Sequence, residues 1–267
     1  SLLRTLGPLL GVLDTSLYRT DDQQNMVRVL NYHRSKVIEA DGVARMVERV
    51  EEVSRLSDLP QEVLAQAADE MLNWRGLGTS VMEISHRSKE FMEVYEEVLR
   101  DLRTLMNIPD AYEILLLQGG GLGQNAAIPM NLMPLAKNGP KADFIVTGVW
   151  SEKSFKEAQK YGTANLAASS AAEKFNTIPA RSSWKLSSDA AYVHYCANET
   201  IGGVEFPDVP DVGSIPLVAD ISSNILSKEM DVSRCAVWFG GAQKNIGPSG
   251  VTIVIVRKDL IGHSMGI

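Results

Sequence analysis

The sequence predicts an α/β protein built on a mostly parallel, mixed sheet flanked by helices. Three observations carry that prediction. Short, near-continuous apolar runs (YEILLLQ, ADFIVTGVW, IPLVAD, CAVWFGG and VTIVIV) read as strands buried on both faces. Segments with helical spacing separate several of them, which is the alternation that builds a parallel sheet. Two of the runs, LLLQ and AVWF, lead straight into glycines, and in open α/β sheets ligands sit outside the carboxyl ends of strands.

Taken in order, residues 61–76 (QEVLAQAADEMLNWRG) place Val63, Leu64, Ala67 and Met71 on one side of a helix that Gly76 closes. KEFMEVYEEVLRDLRTLMNIPD is a longer helix, stopped by Pro109. YEILLLQGGG is a short strand running into glycines, followed by the helix-compatible GQNAAIPMNLM. ADFIVTGVW is a strand with Trp150 at its end, and SEKSFKEAQKYG is a helix. AYVHYCANE, IPLVADISS, CAVWFGGAQ and VTIVIVRKDL are further strands. Residues 1–57 are denser in charge and mostly helical in pattern, so they are set apart from residues 58–267 as a segment of unknown role. The opening SLLRTLGPLLGVL has a single arginine and no small-residue cleavage site, and it reads as an amphipathic helix in preference to a targeting remnant.

The chain has 267 residues, 45% hydrophobic and 22% charged, a composition that suits a globular protein of one large or two small domains. Its net charge of −7 argues against a nucleic-acid surface, which needs clustered Lys and Arg. No apolar run approaches the roughly 20 residues of a membrane helix. Cys196 and Cys235 both sit in apolar runs, so a disulfide framework is not expected and a reducing compartment is. The cytoplasm is the default location, with an organellar copy left open.

The strand ends carry the candidate chemistry. Lys244 follows an apolar strand and lies between glycine-rich stretches, as a lysine does when burial makes its amine a nucleophile for an aldehyde. A solvated loop lysine is the plainer alternative. Asp220 ends the apolar run SIPLVAD, where an acid is costly unless a cation pairs with it, although an Asp capping a turn is also common. Gly119, Gly120, Gly121 and Gly123 sit between a strand and a helix, where backbone N–H groups can hold a phosphate. Residues 121–126 also fit G-x-G-x-x-A, a dinucleotide fingerprint, but the acid that reading needs at the end of the next strand is Asp143, which opens it instead. Trp150 is placed to stack on an aromatic ring or to be plain core. His86 and Arg87 form a basic pair before a helix, suited to an anionic substrate or simply solvated.

Together TSVMEISHRSKEF, LLLQGGGLGQNAAIPMNL, YVHYCANETIGGVEF, VADISSNILSK and GAQKNIGPSGVTIVIVRKDL resemble the phosphoserine aminotransferases, pyridoxal-phosphate enzymes of the class V aminotransferases. The resemblance runs from about Leu59 to Gly262. It implies the large domain of a fold type I pyridoxal-phosphate-dependent aminotransferase. The implied reaction exchanges an amino group between glutamate and 3-phosphohydroxypyruvate, giving 2-oxoglutarate and O-phosphoserine, in a homodimer. By the same resemblance Lys244 is the lysine that binds pyridoxal 5'-phosphate, with Gln243 beside it in the pocket. Asp220 partners the pyridine nitrogen, Trp150 stacks on the ring and Thr200 contacts the ring hydroxyl region. Backbone amides of Gly121 and Leu122 hold the phosphate, and Arg87 and His86 bind substrate.

The chain departs from the family pattern in two places. Where members carry a segment like NFSxGPAxLP, this sequence reads VSRLSDLP, and Ser54 falls at the substrate-contacting serine without the Gly-Pro-Ala beside it. The family also continues past the point where this chain stops, into a C-terminal small domain absent here. The alternative expectation is therefore a catalytically inert fragment or pseudoenzyme that keeps the fold.

Overall fold

The computed structural model describes residues 60–263. They fall into two compact units. One takes the described residues up to Arg100 together with Gly247–Ser249, and the other takes Asp101–Ile246 with those from Gly250 on.

In the first unit α1 (Gln61–Leu72) buries Leu64, Ala67 and Met71, with Val63 half-buried beside them. The helix stops short of Gly76. Asn73 leaves the helical region, and a short 3₁₀ turn (Trp74–Gly76) follows in which Arg75 and Gly76 both take positive φ, 49° and 81°. The reversal buries Trp74 to 1% exposure and lays the Arg75 guanidinium 4.6 Å over its ring. A second 3₁₀ turn (Val81–Glu83) is opened by a reciprocal cap. Ser80 Oγ accepts from the Met82 N–H, and Glu83 Oε2 accepts from the Ser80 N–H at 2.9 Å. Helix α2 (Lys89–Leu105) begins in this unit and finishes in the second; it ends ahead of Pro109, because Asn107 already turns the chain through a left-handed φ of 48°.

The second unit is a seven-stranded mixed sheet. In chain order its elements are β1 (Tyr112–Leu117), α3 (Gly120–Leu132), β2 (Lys141–Val146), α4 (Val149–Ala158), β3 (Thr163–Ser169) and β4 (Val193–Cys196). A two-stranded hairpin of β5 (Asn198–Glu199) and β6 (Val204–Glu205) follows, then β7 (Leu217–Asp220), β8 (Val237–Gly241) and β9 (Thr252–Arg257). The strand order is β1-β9-β8-β7-β4-β2-β3. The run from β8 to β3 is parallel, while β9 is antiparallel to both β8 and β1. The core lies between the sheet and its helices. Phe144, Val218, Phe239 and Val254 from the strands, with Tyr192 just ahead of β4, pack with Ile128 and Leu132 of α3 and Ala158 of α4. Each large side chain so buried contributes about 1.5–3 kcal/mol.

Several expectations need correction. Trp150 does not end a strand: β2 stops at Val146, and Trp150 lies in the first turn of α4. The glycine run is not a loop ahead of a helix, since α3 begins at Gly120. Strand β3 was not expected at all. Its sequence TANLAAS is rich in small residues of low strand propensity, and it is held by pairing with β2 along one side. Asp143 is the third residue of β2, fully buried, and its carboxylate accepts from Asn165 Nδ2 at 2.9 Å and from the Ser187 backbone N–H. It braces the sheet and has no free oxygen to offer a ribose, which removes the dinucleotide reading.

Candidate active site

Because β8, β7 and β4 run parallel in register, their carboxyl ends share one edge of the sheet, with Cys196, Asp220 and Phe239 side by side. The glycine-led start of α3 lies at that edge. Gly119 and Gly120 take positive φ (97° and 64°), a conformation that only glycine adopts without strain. Gly241 ends β8 against this turn. A Cβ there would stand 2.7 Å from the Gly121 nitrogen, so strand end and helix start meet backbone to backbone. The first N–H groups of a helix have no acceptor within it. Those of Gly121 and Leu122 are thus a ready anion site. The Leu122 side chain is exposed, which leaves a backbone contact unaffected by its identity.

Asp220 is the last residue of β7 and is 9% exposed. Its Oδ1 accepts from the Ser222 N–H at 2.9 Å and the Ser222 hydroxyl at 2.6 Å. The same hydroxyl oxygen accepts from the Gly241 N–H at 3.0 Å, which ties the two strand ends together. Burial pushes the Asp220 carboxyl above the ordinary carboxylate range; the Ser222 bonds pull it back, and Glu199 nearby pushes it further up.

Lys244 lies in the turn just past β8. Its Nζ donates to Thr200 Oγ1 at 2.6 Å and stands 5.4 Å from the centroid of the Trp150 ring. Lys244 as a residue is half-buried and its amine's bond to Thr200 is exposed, so the amine is not enclosed as the apolar strand before it suggested. Gln243 beside it is exposed, and so is Thr200. The Trp150 ring is half-buried, but its Nε1 is buried with no hydrogen-bond partner among the described residues. Lys244, Thr200, Trp150, Asp220 and Gly121 are therefore gathered on this one edge. His86 and Arg87 belong to the first unit, exposed in the turn that leads into α2, where the Arg87 N–H donates to Ser85 Oγ at 3.3 Å. Ser54 lies outside the described residues.

Two side chains of this edge escaped the sequence reading. Ser222 had a visible signal, because a hydroxyl two residues after a strand-ending aspartate is the usual donor of a local turn. Glu199 had none that revealed its partner. Its carboxylate serves α4, far away in the chain, by accepting from the Trp150 N–H and the Ser151 N–H at 2.8 Å each.

Among the described residues no helix is long and apolar enough to cross a membrane, and no cluster of His, Cys, Asp and Glu could hold a metal ion. Cys196 and Cys235 are buried and unpaired.

Residues 56–265 match the Aminotransferase class-V family. A phosphoserine aminotransferase of Herminiimonas arsenicoxydans is 61% identical over 209 residues, which are 78% of this chain and 58% of that protein. One of Paraburkholderia phytofirmans is 63% identical over 210 residues, with the same shares of 78% and 58%. Among solved structures, phosphoserine aminotransferase from Bacillus circulans subsp. alkalophilus superposes with a TM-score of 0.74 at 43% identity, covering 78% of this chain and 57% of that one. The enzyme from Trichomonas vaginalis gives 0.72 at 42% identity, covering 78% and 58%. The chain thus spans about 58% of the length of the curated relatives it matches. Its mixed sheet and flanking helices are those of the fold type I large domain. By its sequence and its fold, this chain belongs to the class-V aminotransferase family.

Proposed function

We propose that this chain carries the pyridoxal 5'-phosphate site of a phosphoserine aminotransferase. The reaction is the reversible exchange of an amino group between L-glutamate and 3-phosphohydroxypyruvate, giving 2-oxoglutarate and O-phospho-L-serine. The observation that carries the reading is the Lys244 amine, held by Thr200 beside the Trp150 ring, on the sheet edge where buried Asp220 also ends its strand. The relatives' names and their identity over this whole segment support it. The residues suit the cofactor's parts. A buried carboxyl pushed toward its neutral form calls for a cation, which a protonated pyridine nitrogen provides. The first-turn amides of α3 call for an anion, which a phosphate provides.

When bound, the cofactor supplies an aldehyde for covalent attachment and a protonated ring that draws electrons from the substrate Cα. The chain's own residues do the rest. Lys244 would hold the cofactor's aldehyde, and its amine would move the proton at the substrate Cα as base and then as acid. Asp220 keeps the ring nitrogen protonated. Trp150 presents a ring face for stacking, and Thr200 anchors the lysine amine and the ring hydroxyl region. Gly121 and Leu122 donate N–H groups to the phosphate, and Gln243 borders the pocket. We assign Arg87, whose fork suits an anionic substrate, with His86 next to it and Ser54, to the binding of substrate. We read the working molecule as a cytoplasmic homodimer, with residues 58–267 forming the cofactor domain.

The test is a pyridoxal-phosphate titration followed by visible absorption, borohydride reduction and peptide mapping. A visible band with the reduced adduct on Lys244 supports the reading. No band, or adducts scattered over surface lysines, overturns it in favour of a segment that keeps the fold without the chemistry.

A further inference from the structure

We infer that Glu199 is a positioning residue of this pocket: its buried carboxylate fixes the ring of Trp150 by capping the helix on which that ring stands. The inference rests on the cofactor role proposed above for Trp150. A helix start needs acceptors for its first N–H groups, and a Ser, Thr, Asp or Asn at the N-cap normally provides one. Helix α4 has Gly148 at that position, with no side chain to offer. The acceptor comes instead from the β5–β6 hairpin. Glu199 Oε2 accepts from the Trp150 N–H at 2.8 Å; Oε1 accepts from the Ser151 N–H at 2.8 Å and from the Ser151 hydroxyl. The fit is built from both sides. A Cβ at residue 148 would stand 2.6 Å from Glu199 Cδ, so only glycine there admits the carboxylate.

Glu199 is 1% exposed, and both of its side-chain oxygens are engaged by N–H groups at the start of α4. An ordinary cap would stop at stabilising α4. This one bonds to the backbone of the residue whose ring faces Lys244, so its geometry sets where that ring stands. The hairpin that carries it supplies Thr200 as the next residue, so the group holding the lysine and the group holding the ring share one short piece of chain.

Two measurements on the purified chain decide the matter, with Glu199→Gln as the variant. A glutamine turns an NH₂ group toward one of the N–H donors and spoils one arm of the cap. The first is the ¹⁵N indole spectrum of the cofactor-free chain, whose four tryptophans include Trp150, assigned by its loss in Trp150→Ala. The expected result is a displaced or broadened Trp150 signal with the other three in place. Four signals moving together would mean general loosening, and none moving would mean no control of the ring; each overturns the inference. The second is pyridoxal-phosphate affinity in a double-mutant cycle. Glu199→Gln is expected to weaken binding about tenfold in the native background and less than about twofold in Trp150→Ala. Equal losses in both backgrounds overturn it. Glu199→Asp, which keeps the charge at shorter reach, is expected to recover part of the affinity. If the unmodified chain binds no cofactor, the proposed function falls while the indole spectra still judge the positioning.

Discussion

Asp220 answers two opposed demands. Burial makes its charged form unfavourable in the folded chain, while a pyridine nitrogen is served by that charged form. Its folded pKa lies above the unfolded one, so the native state is penalised at every pH above that raised value. The penalty is absent only below the ordinary carboxylate range, about 3.9. Asp220→Asn removes the charge and keeps an Oδ1 that can accept both Ser222 bonds. The cofactor-free variant is expected to melt about 2–4 °C higher at pH 7, the shift that about 1 kcal/mol gives a domain of this size. Its pyridoxal-phosphate affinity is expected to fall at least about tenfold, about 1.4 kcal/mol. Calorimetry with and without cofactor checks both, and a lower melting temperature for the cofactor-free variant would contradict the argument. Asp220 was legible in the sequence because an acid closing an apolar strand is itself an anomaly. Glu199 closes the run AYVHYCANE in the same way, but its role was not legible, because its partner is a helix start 49 residues earlier that only the fold brings to it.

Most strands were legible as elements, because apolar runs bounded by glycine or proline leave little choice of structure. The misreadings were at ends that a distant residue controls. VTGVW continues an apolar run, so Trp150 looked like strand; what turns the chain into a helix at Gly148 is the Glu199 carboxylate waiting there. Strand β3 was missed because its pairing with β2, not its composition, makes it a strand. Glycines repay the same element-level reading, and two neighbours give opposite predictions. A Cβ at Gly241 would meet backbone, the Gly121 nitrogen at 2.7 Å, so β8 and α3 must separate. Gly241→Ala is expected to lose about 1–3 kcal/mol and to weaken phosphate binding at the helix start. A Cβ at Gly123, inside α3, meets nothing nearer than 3.9 Å. Gly123→Ala is expected to gain about 0.5–1 kcal/mol from helix propensity alone. Urea midpoints of the two variants should move in opposite directions; movement in the same direction would show that the close approach at Gly241 does not govern stability.

At the scale of the whole sheet unit, the consequence of this packing is a sensitivity to acid centred on one side chain. His194 lies on β4 in the middle of the core, 3% exposed, with its ring 5.4 Å from Phe144 and 6.1 Å from Phe239. Neither ring nitrogen has a hydrogen-bond partner among the described residues. Burial holds its pKa down, to about 3 from an ordinary 6.5, so the folded chain keeps it neutral while the unfolded chain protonates it freely. A depressed histidine pKa contributes stability in full above about 6.5, and that contribution drains away as pH falls toward the folded value. Each pH unit in that window removes about 1.4 kcal/mol, so the step from pH 6.5 to 5 removes about 2 kcal/mol. The other described histidines, His86 and His263, are exposed. Asp220 acts in the opposite sense, since its raised pKa relieves the folded state as pH falls. His194→Leu in the Asp220→Asn background isolates the histidine from that counter-current. Urea unfolding at pH 7, 6 and 5 is expected to give a stability that falls steeply in Asp220→Asn and is nearly flat over the same range once His194 is leucine. Equal slopes in the two chains would show that the acid sensitivity of the sheet arises elsewhere.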